Sequence, residues 1–152
     1  MMARRRVQRG AGKQTKPFSA RLDVDVIERL QQQSRRSGQS NAKVAGRLID
    51  EGLRMEQFPG VVFRSGPTGR RAALEGGPDV WEVVRALRRA AAEEDVPDPV
   101  EALVEVIGLR RELVELAAAY YDAFPEEIDD RIRLAEEMAQ RVRRAIAGSA
   151  VA

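Results

Sequence analysis

The side chains that most often carry catalysis are scarce in this sequence, and their spacing favours a solvated surface. The chain contains no Cys and no His, so it has neither a thiolate nucleophile nor the commonest general base and metal ligand. Its carboxylates occur in adjacent pairs, but neighbouring residues on a helix point about 100° apart and do not converge on one ion. We therefore expect no catalytic residue, no metal site and no cofactor, and we predict that the protein is not an enzyme. The pairs are Glu93-Glu94, Glu126-Glu127, Asp129-Asp130 and Glu136-Glu137.

The segment GPTGRR, Gly66 to Arg71, is the part of the chain that most invites a phosphate-loop interpretation. It lacks the Gly-Lys-Ser/Thr ending of a P-loop, and neither flank predicts the required strand and helix. We reject a nucleotide site here. We expect Arg70 and Arg71 to be exposed and available to DNA or to an acidic partner.

Positive and negative charges are separated along the chain. Residues 1–54 contain 13 of the 26 Lys and Arg residues but 5 of the 24 Asp and Glu residues, so this part carries +8 and the remainder −6, within a total of +2. Such asymmetry is typical of a nucleic-acid-binding head joined to an acidic body. The alternative is that the basic residues are only a solvated surface.

Composition shifts divide the chain into four segments. Residues 1–15 are predicted to be a disordered basic arm, in which Arg4, Arg5 and Arg6 contact phosphates. Residues 16–56 form a DNA-binding domain, residues 57–78 a small β-hairpin and linker, and residues 79–148 an acidic domain of four helices. The fold class is mainly α. No apolar run is long enough for a membrane span and none follows the basic N-terminus, so we expect a cytoplasmic protein without a membrane partner.

The segment Lys16–Leu22 alternates between apolar and polar residues, which is typical of a half-buried strand. Two amphipathic helices are predicted to follow, with Asp23 at the start of the first, Ser37-Gly38 at its end and Ser40 or Asn41 at the start of the second. A lone strand leaves its backbone groups unpaired, so we expect two copies of the chain to pair through it as an intertwined homodimer.

The order of the strand FSARL, the helix VIERLQQQSRRSG and the second helix from QSNAKVAGRLIDEGL resembles the ribbon-helix-helix transcription factors, the group of MetJ, Arc and CopG-type repressors. The resemblance covers about Lys16–Arg54. It implies a dimer that places a two-stranded ribbon in the major groove of double-stranded DNA.

Residue by residue, the resemblance implies base contacts from Ser19, Arg21, Lys16 and Pro17, although Pro17 departs from the polar residue usual there. Arg21 would bind guanine O6 and N7. The start of the second helix would hold a phosphate through Ser40, Asn41, Ala42 and Lys43. The expected dimer core consists of Phe18, Ala20, Leu22, Ile27, Leu30, Val44, Leu48 and Ile49.

The C-terminal half permits a second interpretation. The segments PGVVFRSGPTGRRAALEGGPDVWEVV and YYDAFPEEIDDRI are similar to a small domain found in VapB-type antitoxins, over about Phe58–Ile146, and no catalytic motif is transferred with them. The first hypothesis is thus a dimeric, sequence-specific transcriptional regulator, expected to be a repressor. The alternative is an antitoxin whose C-terminal domain neutralises a toxin, with autoregulation through the N-terminal domain.

Overall fold

The computed structural model describes residues 14–93 and 95–149. The chain divides into two compact units, and the division falls between Ala45 and Gly46, inside the second helix. In the first unit, residues 14–23 have no regular secondary structure. Helix α1 (Val24–Ser37) follows, and helix α2 (Asn41–Gln57) begins after a three-residue connection.

The ends of these two helices follow from local chemistry. Asp23 has an extended backbone at the start of α1, although its side chain makes no capping hydrogen bond, and Gly38 ends the helix with a left-handed φ of 64°. Glycine adopts that conformation without the steric penalty of a Cβ. At the start of α2, the Ser40 hydroxyl accepts a hydrogen bond from the backbone N–H of Lys43 at 3.2 Å, so Ser40 is the capping residue.

The strand expected over Lys16–Leu22 does not form in the single chain. No residue between 14 and 23 belongs to a strand, and in the described part of the chain the only sheet is a two-stranded hairpin further along. A strand is defined by a ladder of backbone hydrogen bonds to a neighbour. A single chain provides no neighbour for this segment, so the alternating pattern alone cannot produce a strand.

In the second unit, the remainder of α2 is followed by a β-hairpin. Strands β1 (Val61–Gly66) and β2 (Gly69–Leu74) pair antiparallel, from Val61 opposite Leu74 to Gly66 opposite Gly69, around a turn at Pro67-Thr68. Gly69 has a φ of 96°, a conformation that favours glycine. The hairpin predicted for residues 57–78 is confirmed.

Four helices occupy the segment predicted to be helical, and with α1 and α2 they make the described chain mainly α. Helix α3 spans Val80–Ala91, α4 spans Pro99–Ile107, α5 spans Arg111–Ala123 and α6 spans Pro125–Ser149. Asp98 caps α4 by accepting from two backbone N–H groups, with Pro99 in the first turn. In the described residues, no helix combines the length and hydropathy that a membrane span requires.

The hydrophobic core of the second unit is formed by both hairpin strands and helices α3 to α6. Its largest fully buried side chain is Tyr120, which packs edge-on against Phe58 with ring centroids 5.3 Å apart and lies 4.9 Å from the Phe124 ring. Trp81 packs against the core while remaining partly exposed, and its indole N–H donates to Asp79 at 3.2 Å. Aromatic contacts of this kind add to the free energy gained from burial alone.

Candidate nucleic-acid interface

The N-terminal segment presents its polar side chains to solvent. Lys16, Pro17, Ser19 and Arg21 are all exposed. Within the described part of the chain, neither Lys16 nor Arg21 has an ion-pair partner. Their charges are therefore free to meet phosphate or a base edge.

The connection between α1 and α2 builds the second part of the interface. The backbone N–H of Gln39 donates to Ser34 O at 3.2 Å, which holds the connection against α1. Because the Ser40 hydroxyl takes the Lys43 N–H, the N–H groups of Asn41 and Ala42 are the ones left at the start of α2. Asn41, Ala42 and the Lys43 side chain are exposed.

A shallow concavity of about 530 Å³ lies beside this helix start. Its lining surface is about equally polar and apolar, and the lining residues include Arg35, Ser40 and Asn41. The helix dipole adds partial positive charge at the same place. This arrangement is suited to an oxyanion such as a DNA phosphate.

Most residues of the expected dimer core are exposed in the single chain. The exposed fraction is 82% for Phe18, 51% for Leu22 and 39% for Ile27 in the first unit, and 46% for Leu48 and 51% for Ile49 in the second. Ala20 is exposed and Leu30 half-buried. Val44 differs, because it is already fully buried without a second copy. Arg4, Arg5 and Arg6 lie outside the described residues.

The expectation that Arg70 and Arg71 are exposed is wrong. Arg70 donates from Nε and Nη2 to the two carboxylate oxygens of Glu51, each at 2.7 Å. These bidentate bonds raise the pKa of Arg70, against the opposing effect of burial. Arg71 donates to Asp79. Both arginines are thus occupied by carboxylates distant in sequence, which a local motif cannot indicate.

Asp79 joins the hairpin to the start of α3. One carboxylate oxygen accepts from Arg64 Nε at 2.9 Å and Nη2 at 2.8 Å, and the other accepts from Arg71 and Trp81. The backbone N–H of Asp79 is bound by Glu82 in a capping box. Burial opposes ionisation of this group, but the hydrogen bonds from Arg71 and Arg64 hold its pKa below the usual value. The two ion pairs of Asp79 were not predicted from the sequence.

A second buried charge cluster surrounds Arg54, near the end of α2. Its guanidinium donates to Glu127 at 2.5 Å and to the Tyr120 hydroxyl at 2.9 Å, and it stacks over the Phe124 ring at 4.0 Å from the centroid. Burial alone would lower the pKa of Arg54, but the hydrogen bonds to Glu127 and Tyr120 raise it above its usual value. Burial raises the pKa of Tyr120 to about 12. These contacts tie the end of α2 to α5 and α6.

Each arginine of these clusters is paired with a carboxylate of the same unit, an arrangement that stabilises the fold. Among residues 14–93 and 95–149, no three acidic side chains come together as a metal site would require. The charged groups that remain open to a ligand on the candidate interface are those of the N-terminal segment and of the start of α2. Compared with protein-family models, with curated proteins and with solved structures, the chain gives no match.

Proposed function

We propose that this protein is a sequence-specific DNA-binding transcriptional regulator that acts as a dimer and represses its target promoter. One observation carries the proposal. The N-terminal segment exposes Phe18 at 82% and Leu22 at 51%, next to unpaired backbone and exposed cationic side chains. Such a segment is unfavourable in isolation, because large apolar side chains and strand-like backbone groups both require a partner.

Pairing of two copies through Lys16–Leu22 satisfies both requirements. In an antiparallel ribbon, Phe18, Ala20 and Leu22 face the helices of the dimer, while Ser19 and Arg21 face outward. The ribbon is narrow enough for the major groove, where Arg21 binds guanine in a bidentate manner and Ser19 binds a base edge. Pro17 lies at the start of the same face, and Lys16, at the end of the ribbon, adds a positive charge from the opposite face of the strand.

Phosphate contacts from the start of α2 position the ribbon. Asn41 and Ala42 supply backbone N–H groups, Ser40 supplies a hydroxyl and Lys43 a positive charge. Such contacts fix orientation without reading sequence. The basic arm, with Arg4, Arg5 and Arg6, adds affinity that depends on salt.

The test is selection of a binding site from a random duplex pool, followed by titration of the selected duplex. Arg21→Ala is expected to weaken binding by about 5- to 150-fold, since a bidentate base contact contributes ~1–3 kcal/mol. Arg89→Ala is the matched control, because it removes the same charge from exposed surface on α3. Equal affinities for the wild type and the Arg21→Ala protein would overturn the role given to this residue.

Lys43→Ala separates phosphate contacts from base contacts. The variant is expected to bind all duplexes more weakly by a similar factor. It should also reduce the slope of log K against log salt by about 1 for each phosphate that the protein no longer neutralises. A change of preferred sequence in this variant would instead assign Lys43 to base recognition.

A second candidate function, an antitoxin, is favoured by one surface of the C-terminal helices. Val106 at the end of α4 is 81% exposed and Ile107 is 41% exposed, and Ile107 lines an apolar groove of about 350 Å³ with Val83 and Leu109. A toxin that buried this patch would be neutralised by the bound chain. Co-expression with the product of the adjacent gene, comparing wild type with Val106→Asp, tests this. Growth rescue that the substitution abolishes supports the antitoxin, and absence of any rescue by the wild type argues against it.

A further inference from the structure

The C-terminal part of α6 carries an apolar stripe that the rest of its unit covers only in part, because Leu134 and Met138 line an open groove with Trp81 and Pro67. Only its first turns are anchored, through Ile128 and Ile132, which are 2% and 6% exposed. Beyond them the exposed fraction rises steadily, from 36% at Leu134 to 46% at Met138, 58% at Val142 and 66% at Ile146. These four residues recur every fourth position, which places them in one row along the helix.

Charge on the same stretch changes sign in the middle of this stripe. Glu136 and Glu137 lie before Gln140, whereas Arg141, Arg143 and Arg144 lie after it. Within the described residues the three arginines have no ion-pair partner, and Glu137 has only a 3.5 Å contact with Arg133 on the same helix. The acidic half and the basic half are therefore complementary to each other, but only if two such helices run in opposite directions.

We propose that α6 pairs with α6 of a second copy of this chain, antiparallel, with the twofold axis passing at the level of residue 140. In that register Leu134 faces Ile146 of the second copy, and Met138 faces its Val142. Glu137 of each copy then lies two residues from the level of Arg141 of the other. One register thus matches both the apolar row and the charges, as a self-complementary twofold interface requires.

The side of α6 that remains open agrees with this register. Glu136 and Arg143 line a groove with Arg85 and Arg89 of α3, so that side of the helix faces its own unit. Because adjacent helical positions differ by about 100°, Glu137 and Arg141 lie on the other flank of the stripe, whereas Arg144, two positions from both Val142 and Ile146, lies on the opposite side of the helix. Glu137 and Arg141 are placed to meet the equivalent flank of an antiparallel partner.

The size of the contact predicts its strength. The four side chains of each copy offer roughly 800 Å² in total, which is below the ~1,000–1,200 Å² at which specific interfaces begin. We expect weak pairing in the micromolar range when this contact acts alone. It becomes stronger when a second contact between the same copies raises the effective concentration.

The absence of native Cys allows a direct test of the register in the full-length chain. Met138→Cys and Val142→Cys proteins are mixed under mild oxidation, and the products are identified by mass. The proposal expects the mixed 138–142 disulfide to form at least tenfold faster than either homodisulfide. Predominant 138–138 and 142–142 products would indicate a parallel pair, and no cross-linking above that of a Glu105→Cys control would exclude pairing. Either result overturns the proposal.

Charge reversal tests the complementarity. Glu137→Arg is expected to raise the dissociation constant of α6 pairing about tenfold, as is Arg141→Glu. The double variant with both substitutions restores pairing to within about threefold of the wild type. Glu136→Arg, with the same change of charge on the α3 flank, should have little effect. Failure of the double variant to recover would contradict the register.

To separate α6 pairing from dimerisation through the N-terminal segment, the cross-linking and charge-reversal measurements are repeated in a protein that also carries Phe18→Asp. Sedimentation of that full-length variant should retain weak association that Val142→Gln abolishes, with helix content unchanged by circular dichroism. A monomer at all concentrations in the Phe18→Asp background would contradict the α6 contact and leave the DNA-binding proposal intact. Operator binding that is retained in the Phe18→Asp protein would instead contradict dimerisation through the N-terminal segment and leave the α6 contact intact.

Discussion

Arg54 and Glu127 lie 73 residues apart in the chain and are joined by a hydrogen bond of 2.5 Å. The Arg54 side chain is only 11% exposed and the Glu127 side chain 33%. Asp50, one turn before Arg54, forms an ion pair with the same guanidinium at 2.9 Å. The end of α2 is thereby locked to the first turn of α6.

Removal of one partner from this pair leaves a buried charge uncompensated. Arg54→Met is expected to lower the free energy of unfolding by about 2–3 kcal/mol, since the pair is mostly but not fully buried. Chemical denaturation followed by circular dichroism measures the change. Arg133→Met is the matched control, because its ion pair with Asp130 is 66% and 72% exposed and should contribute at most ~0.5 kcal/mol. Equal effects of the two substitutions would show that burial of the Arg54 pair does not stabilise the fold.

Asp79 should contribute to the acid stability of the second unit. Because hydrogen bonds from Arg71 and Arg64 lower its pKa in the folded state, its contribution is complete above about pH 4, the ordinary carboxylate range. That contribution is lost as pH falls through the lower folded pKa. Asp79→Asn should therefore cost about 2 kcal/mol at pH 7, and the difference from wild type should shrink below pH 4. A difference independent of pH would contradict the ion-pair assignment.

Tyr120 should make the stability of the second unit depend on pH in the alkaline range. Burial raises its pKa to about 12, above the value of about 10 for an exposed phenol. The stabilisation that this represents is complete below pH 10 and is lost as pH rises from 10 to 12. Absorbance titration of the phenolate should show a transition near pH 12 that disappears in Tyr120→Phe. A Tyr120→Phe protein with an unchanged transition would assign it to Tyr121, the other tyrosine.

The conformation of Gly38 can be tested against a second glycine. At Gly38 a new Cβ would meet no atom within 4 Å, but φ is 64°, whereas Gly46 has equal space inside α2 without a positive φ. Gly38→Ala should therefore lower the free energy of unfolding by about 1 kcal/mol, and Gly38→Asn by less. Gly46→Ala should raise it by ~0.5–1 kcal/mol. Thermal denaturation followed by circular dichroism compares the three variants. Reduced stability in both alanine variants would contradict the difference in backbone conformation.

Helix and turn boundaries were predictable because they depend on residues close in sequence. The Ser40 cap acts on an amide three residues away, the left-handed Gly38 follows the helix that it ends, and Gly66 and Gly69 flank the hairpin turn. Lys16 and Arg21, to which the resemblance assigned base contacts, are exposed. Their contact with DNA, and dimerisation through the segment, stay predictions.

The sequence by itself determined the local elements: helices α1 to α6, the β1–β2 hairpin, the division of charge and the alternating segment Lys16–Leu22. Only the tertiary structure decided which charges are occupied. Arg70 meets Glu51 across 19 residues, Arg64 meets Asp79 across 15, and Arg54 meets Glu127 across 73. The physical reason is that caps and periodicity act over one or two turns, whereas an ion pair is made by whichever side chains the packed core brings within 3 Å. For the same reason the alternating segment remains unpaired in one chain, since its strand requires hydrogen bonds from a neighbour that local sequence cannot supply.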